Sequence, residues 1–143
     1  MRHHHCISSV LLLLLLCING LAVIVVNGQN IQFDENCPPT CRCSRFEISC
    51  TESRQNGSDI FIPMRPEKFP QLDSVTVTGT YIGDISKQNL FGIEVVHRNL
   101  TLLNISHSGI VAFDEETFQG LPALQWFCLN DNSIERIGKD PFR

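Results

Sequence analysis

The chain has 143 residues, 43% of them hydrophobic, with 11 Lys+Arg against 15 Asp+Glu and a formal net charge of −4. A mildly acidic chain without a basic stripe offers little to a phosphate backbone, so nucleic-acid binding is unsupported. The length fits one domain, and its seven cysteines are the main chemical feature of the composition.

After Met1-Arg2-His3-His4-His5, residues Cys6 to Val26 are almost continuously apolar and include six consecutive leucines. A basic start, an apolar run and small residues near Gly28 predict a secretory signal peptide over residues 1–28. Cleavage is expected after Gly28 and, second, after Ala22. Asn19 and Gly20 interrupt the run and argue against a stable spanning helix, which leaves an uncleaved signal anchor as the alternative. Removal of residues 1–28 would take away Cys6, Cys17 and a single charged side chain, Arg2.

Cys37, Cys41, Cys43 and Cys50 follow in a C-x3-C-x-C-x6-C cluster. In a cytosolic chain four thiols this close would suit zinc. On the secretory route two disulfides are expected instead, and sequence alone allows three pairings. No metal ion or cofactor is expected anywhere in the chain. A polar stretch, Glu52 to Asp59, separates this cluster from an apolar strand expected at Ile60.

From Leu72 the chain repeats itself. Leu100, Leu103, Ile105, Ile110, Phe113 and Phe118 recur at one constant offset as Leu124, Phe127, Leu129, Ile134, Ile137 and Phe142. Ser108 in the first of these stretches corresponds to Asn132 in the second. An earlier copy, Leu72, Val75, Val77, Thr80, Ile82, Ile85 and Leu90, precedes its equivalents by a slightly longer interval. Its four extra residues fall within Glu94 to Asn99, where a surface loop is expected to absorb them. Within each copy two apolar residues stand two apart, as on one face of a short strand, and the next apolar residues return the chain behind it. One copy cannot bury enough by itself, so such an array folds only as a stack.

The spacing L-x-x-L-x-L-x-x-N-x-L resembles that of leucine-rich repeat proteins. The run from Cys37-Pro38-Pro39-Thr40-Cys41-Arg42-Cys43 to Cys50 resembles the N-terminal cysteine flank of the extracellular members, as do Ile62-Pro63 and Phe69-Pro70 leading into Leu72. This resemblance implies an α/β solenoid with short parallel strands on its concave face, capped by a disulfide-bonded N-terminal hairpin. It also implies pairing of Cys37 with Cys43 and of Cys41 with Cys50. The organisation expected is a signal peptide (1–28), a cysteine flank with its lead-in (29–71), and about three repeats (72–143). The third copy stops before a counterpart of Leu121, so further sequence is expected after Arg143. Leu100-Thr101-Leu102 leading into Ser108-Gly109-Ile110 is also similar to the ectodomain start of neurotrophin receptor tyrosine kinases. Many repeat-bearing adhesion proteins share that pattern, and the chain contains no kinase residues.

Asn56-Gly57-Ser58, Asn99-Leu100-Thr101 and Asn104-Ile105-Ser106 are sequons for N-glycosylation. The outward strand positions, which in this family form the ligand surface, are Ser74, Thr76 and Thr78, then Leu102, Asn104, Ser106 and His107, then Trp126, Cys128, Asn130 and Asp131. Leu102, His107, Trp126, Asn130 and Asp131 are the candidate ligand-binding residues. Trp126 is the sole tryptophan, a residue type enriched at binding hot spots. Packing against a continuation of the array is the alternative for Trp126. A plain solvated role is the alternative for His107, which could otherwise tune binding by pH. Thr80, Ser108 and Asn132 are read as structural turn residues, and Leu90, Phe118 and Phe142 as core. Cys128 is the odd cysteine, free, paired between chains, or bonded to a segment outside this sequence.

His97 and His107 are the only histidines after residue 28, and neither lies in a catalytic motif. The sequence thus points to a non-enzymatic extracellular fragment that binds a protein ligand or cell-surface partner. It takes no small-molecule cofactor and no nucleic acid, and meets a membrane only through an uncleaved signal or a further C-terminal segment. The alternatives are a small disulfide-stapled inhibitor or matrix protein, and the start of a neurotrophin-receptor-like ectodomain.

Overall fold

The computed structural model describes residues 36–53 and 57–140, together with the backbone of two short strands, β1 (Cys17–Ile18) and β2 (Leu21–Ala22). The chain divides into two compact units, residues 1–32 and 33–143. In the first, β1 and β2 pair antiparallel. The rest of the expected signal peptide, Asn56 and Phe142 lie outside the described residues.

The second unit is built on a five-stranded sheet of β3 (Cys41–Cys43), β4 (Glu47–Thr51), β5 (Ser74–Thr78), β6 (Leu102–Ser106) and β8 (Trp126–Cys128), in that spatial order. Only β3 and β4 run antiparallel; every later pairing is parallel. The alternation read from the sequence sets the faces. Val75 and Val77, and Leu103 and Ile105, point inward and are fully buried, while Ser74, Thr76 and Thr78 remain partly exposed. Residues of one strand lie opposite their repeat equivalents: Val75 faces Leu103 and Val77 faces Ile105.

The cap contributes a strand of its own to this ladder. Ile48 lies opposite Val75 and Cys50 opposite Val77, and both are fully buried. The cysteine flank therefore supplies a strand in the position of a repeat preceding the first. Disulfides join Cys37 to Cys43 and Cys41 to Cys50. The second links directly opposed residues of β3 and β4 and places its Cys50 sulfur side against the core.

No α-helix occurs among the described residues. The far side of the solenoid returns through turns and a short parallel pair, β7 (Ala112–Phe113) with β9 (Arg136–Ile137). Ile60 opens no strand; it sits with Phe61 in a 3-10 turn, Ser58–Phe61, that buries both side chains beneath the lead-in. Phe61 meets Phe91 edge-on at 5.5 Å, and Phe113, Phe118 and Phe127 form an edge-to-face cluster with centroids 4.5 to 6.1 Å apart. Such geometry aligns ring edges with ring faces and adds to simple burial.

The four-residue insertion is not the open surface loop that the spacing suggests. Val95 and His97 within it are buried. The His97 N–H donates to the Gly120 carbonyl at 2.8 Å, and the Asn89 amide donates to the Val95 carbonyl at 3.0 Å. A methyl group on Gly120 would stand 2.2 Å from the Val95 oxygen, so the absence of a side chain there lets the insertion close. Turns between apolar anchors still have backbone groups to satisfy, and docking against the next copy satisfies them.

One residue of left-handed backbone follows each parallel strand of the sheet, directly at Glu52 (φ 49°), Gly79 (67°) and His107 (53°) and three residues on at Asp131 (56°). The next residue in each copy, Ser53, Thr80, Ser108 or Asn132, turns a polar side chain into the stack. The Ser53 N–H donates to Thr80 Oγ1, and the single Ser108 hydroxyl proton lies between the Ser106 carbonyl at 2.9 Å and the Val77 carbonyl at 3.3 Å. Asn132 does most: its oxygen accepts from the Ser108 and Ile110 N–H groups at 3.0 and 3.1 Å. Its amide donates to the Ile105 and Leu129 carbonyls at 2.6 and 3.0 Å.

Candidate ligand-binding face

Parallel register arranges the outward side chains in lines across the sheet, with neighbouring strands about 4.8 Å apart. Glu47, Ser74, Leu102 and Trp126 form the first line; Ser49, Thr76, Asn104 and Cys128 the second; Thr51, Thr78 and Ser106 the third. Most of these residues are small and polar, so the face is shallow. Leu102 and Trp126 are its apolar exception, and register makes them direct neighbours. Trp126 leaves 65% of its surface exposed and Leu102 is half-buried beside it.

The remaining candidates gather elsewhere. His107, Asn130 and Asp131 lie beyond the strands, at the left-handed turn, not on the strand face where the spacing put them. Five residues separate Trp126 from Asp131, roughly 17 Å of extended chain. Because His107 and Asp131 hold the same turn position in consecutive copies, their side chains meet, His107 Nε2 to Asp131 Oδ2 at 3.1 Å. Both are largely exposed, so the pair contributes little to stability, about 0–1 kcal/mol. The Asn130 side chain is exposed, and its carbonyl accepts the His107 N–H at 3.0 Å. The candidate set thus divides into an apolar spot at the strand starts and a polar spot at the strand ends.

Two further positions differ from expectation. Ser106 is outward by register yet only 6% exposed, and its hydroxyl donates to Asn104 Oδ1 at 2.6 Å. Asn104, in the middle line, therefore has its carbonyl oxygen engaged and Thr76 and Cys128 on either side. Asn99 is exposed at the other end of the strand, its amide donating to the Pro70 carbonyl at 3.0 Å. The Thr101 hydroxyl of that sequon is held by the Asp73 carboxylate. Cys128 is a free, half-buried thiol.

The cap strand adds residues that the repeat spacing did not assign to this face: Glu47, Ser49 and Thr51, with Arg42 opposite Ser49 on β3. The sequence carried the signal, since Glu47-Ile48-Ser49-Cys50-Thr51 alternates as Ser74-Val75-Thr76-Val77-Thr78 does. The cysteines drew it into the flank instead. Among the described residues no group of three or more His, Cys, Asp or Glu side chains is placed to hold a metal ion, and no helix is long and apolar enough to cross a membrane.

Residues 98–143 match the family model described as leucine rich repeat. Over 107 residues the chain is 26% identical to the BDNF/NT-3 growth factors receptor of Gallus gallus, an alignment covering 75% of this chain and 13% of that receptor. The chain therefore spans only a small part of the relative it matches. No solved structure matches it. The periodic leucines, the parallel ladder they form and the family match over residues 98–143 agree on a leucine-rich repeat fold, headed here by a disulfide-bonded hairpin.

Proposed function

We propose that the chain is a non-catalytic, extracellular protein-binding module whose concave face meets its ligand, with the Leu102–Trp126 spot as the anchor. The observation that carries this is the exposed tryptophan held beside a leucine on an otherwise hydroxylic, shallow face. An aromatic ring with its apolar neighbour already ordered loses little further freedom on contact, which is how a few residues come to dominate an interface. His107, Asn130 and Asp131 would supply polar contacts at the rim. The two disulfides support a secretory origin, consistent with residues 1–28 being a signal peptide and 29–71 a cap. Of the sequons, Asn99 at the strand entrance suits a glycan without obstructing this face, whereas a glycan on Asn104 would stand in its middle line.

The similarity to the BDNF/NT-3 growth factors receptor favours a growth factor of that kind as the ligand class. The test is direct binding of the secreted chain to immobilised BDNF and NT-3, compared with Trp126→Ala. Loss of an interface anchor costs about 2 kcal/mol, roughly 30-fold in Kd. Binding that is undiminished in a correctly folded Trp126→Ala chain would refute the concave-face reading. Absence of binding by either growth factor would refute the ligand class alone.

A further inference from the structure

We infer that His97 is an acid-sensitive latch that holds the 92–99 insertion closed against the stack. The insertion enters through Gly92 and Glu94, both in left-handed backbone, and presents Ile93 almost fully to solvent. It then turns inward. His97 is only 2% exposed, its ring meets Phe91 edge-on at 4.5 Å, and its N–H is bonded to Gly120 of the following copy. The Met64 backbone of the lead-in acts on the ring and favours its charged form, while Nε2 is buried without a hydrogen-bond partner. One residue therefore ties three elements together: lead-in, insertion and next copy.

The unpartnered nitrogen makes this tie conditional on protonation. In the neutral tautomer with its proton on Nδ1, Nε2 is a lone pair in an apolar site, which is tolerable. Protonation places an N–H and a full charge there, with no acceptor to receive them. Among charged groups, Glu67 of the lead-in acts on the ring and favours the charged form, and Arg98 shares the wall of a cavity of about 220 Å³ beside it. Among the described residues of the following copy, no charged group acts on the ring. Burial outweighs Glu67, so the ring resists protonation below its ordinary value of 6.5.

The open state suffers no such resistance. Below pH 6.5 it gains a proton that the closed state refuses, and each further pH unit favours opening by up to tenfold until the closed ring itself titrates. Opening would also dismantle a groove of about 890 Å³ that the insertion walls with Ile93, Glu94, Val95 and Val96 against Ile62 and Arg65. The inference is independent of the concave-face reading.

Amide hydrogen exchange on the full secreted chain tests it, at pH 7.5 and 5.5 with intrinsic rates corrected. The Val95 and His97 amides should open about tenfold more often at pH 5.5, while strand amides of β5 and β6 change far less. His97→Phe, which fills the site with a ring that cannot titrate, should abolish the difference, and His97→Asn, whose amide does not titrate in this range, should do the same. Equal protection at both pH values in the natural chain, or an unchanged difference in either variant, would overturn the latch. Should both variants fail to fold, the ring itself decides. In an NMR titration the His97 ring should stay neutral as the pH passes below its ordinary value of 6.5, and protonation at or above that value would overturn it.

Discussion

Replacing Asn132 with alanine tests the physical account of the stack most directly. Besides a long contact to the Asn130 carbonyl at 3.4 Å, four shorter hydrogen bonds end on that side chain: two from the Ser108 and Ile110 N–H groups, and two to the Ile105 and Leu129 carbonyls. Ser108 and Ile110 are almost wholly buried, so their N–H groups cannot turn to water without opening the turn. Each buried donor left without an acceptor costs about 1–3 kcal/mol. The two carbonyls keep a second lone pair and lose less, about 0.5 kcal/mol each. The sum is about 3–7 kcal/mol, a large part of the roughly 5–15 kcal/mol that ordinarily holds a domain together.

Serine at 132 offers an informative intermediate, because Ser108 occupies the equivalent turn one copy earlier. Its hydroxyl can replace one acceptor or one donor, so Asn132→Ser should lose about half as much as Asn132→Ala. Urea denaturation at constant m-value gives both numbers, and hydrogen exchange at the Ser108 and Ile110 amides localises the effect. An alanine variant within about 0.5 kcal/mol of the natural chain, the range of an ordinary surface substitution, would refute the turn-ladder account. So would a serine variant as damaged as the alanine one.

Gly120→Ala forces a carbon to within 2.2 Å of the Val95 oxygen and 2.7 Å of the Asn89 amide; displacing the insertion should cost about 2–4 kcal/mol in the same denaturation assay, as overpacking does elsewhere. Removing the Cys41–Cys50 bridge by paired alanine substitution should lower stability by about 2–3 kcal/mol, from a short closed loop and the loss of a buried cap contact. Stability measured against pH should be level above 6.5 and fall below it, because the His97 pKa is lowered by burial and the unfolded chain takes up the proton first; a His97→Phe chain should lose that part of the slope.

Much of the fold was legible because repetition fixes what a single segment cannot. A constant offset makes equivalent residues of successive copies neighbours across the sheet, so the contact between Leu102 and Trp126 follows from alignment alone. The buried faces of β5 and β6 follow from alternation. What stayed hidden was carried by residues whose type does not announce their role. His107 and Asp131 look like ordinary ends of outward rows, and nothing in either letter signals left-handed backbone, although Asp and His tolerate it better than most residues. Glu52 tolerates it less well, and its turn position shows only through its ladder neighbour Gly79. The insertion reads as a loop because Glu94, Arg98 and Asn99 are polar, yet Val95 and His97 between them face the stack and anchor it there. Ser106 is outward by parity, which fixes direction but does not determine how much surface a neighbour covers.

The same geometry separates two roles for Trp126. Its ring belongs to the first concave line, yet β8 has no further strand beside it among the described residues, so the ring also borders a lateral face. Coverage there is thinner than one copy earlier: Leu103, Ile105 and Ile110 are fully buried, whereas Phe127, Leu129 and Ile134 are only partly so, and Ile137 is 59% exposed. Ile137 shares the lateral face and is absent from the concave lines, since it lies on β9 behind the sheet. A ligand seated on the concave face should therefore lose roughly 30-fold in affinity with Trp126→Ala and change less than twofold with Ile137→Ser. A partner that stacks on the lateral face should lose with both. Measured in parallel by surface binding, with circular dichroism to show that each variant keeps its fold, a matched loss in the two variants would move the interface from the concave face to the lateral face beside β8.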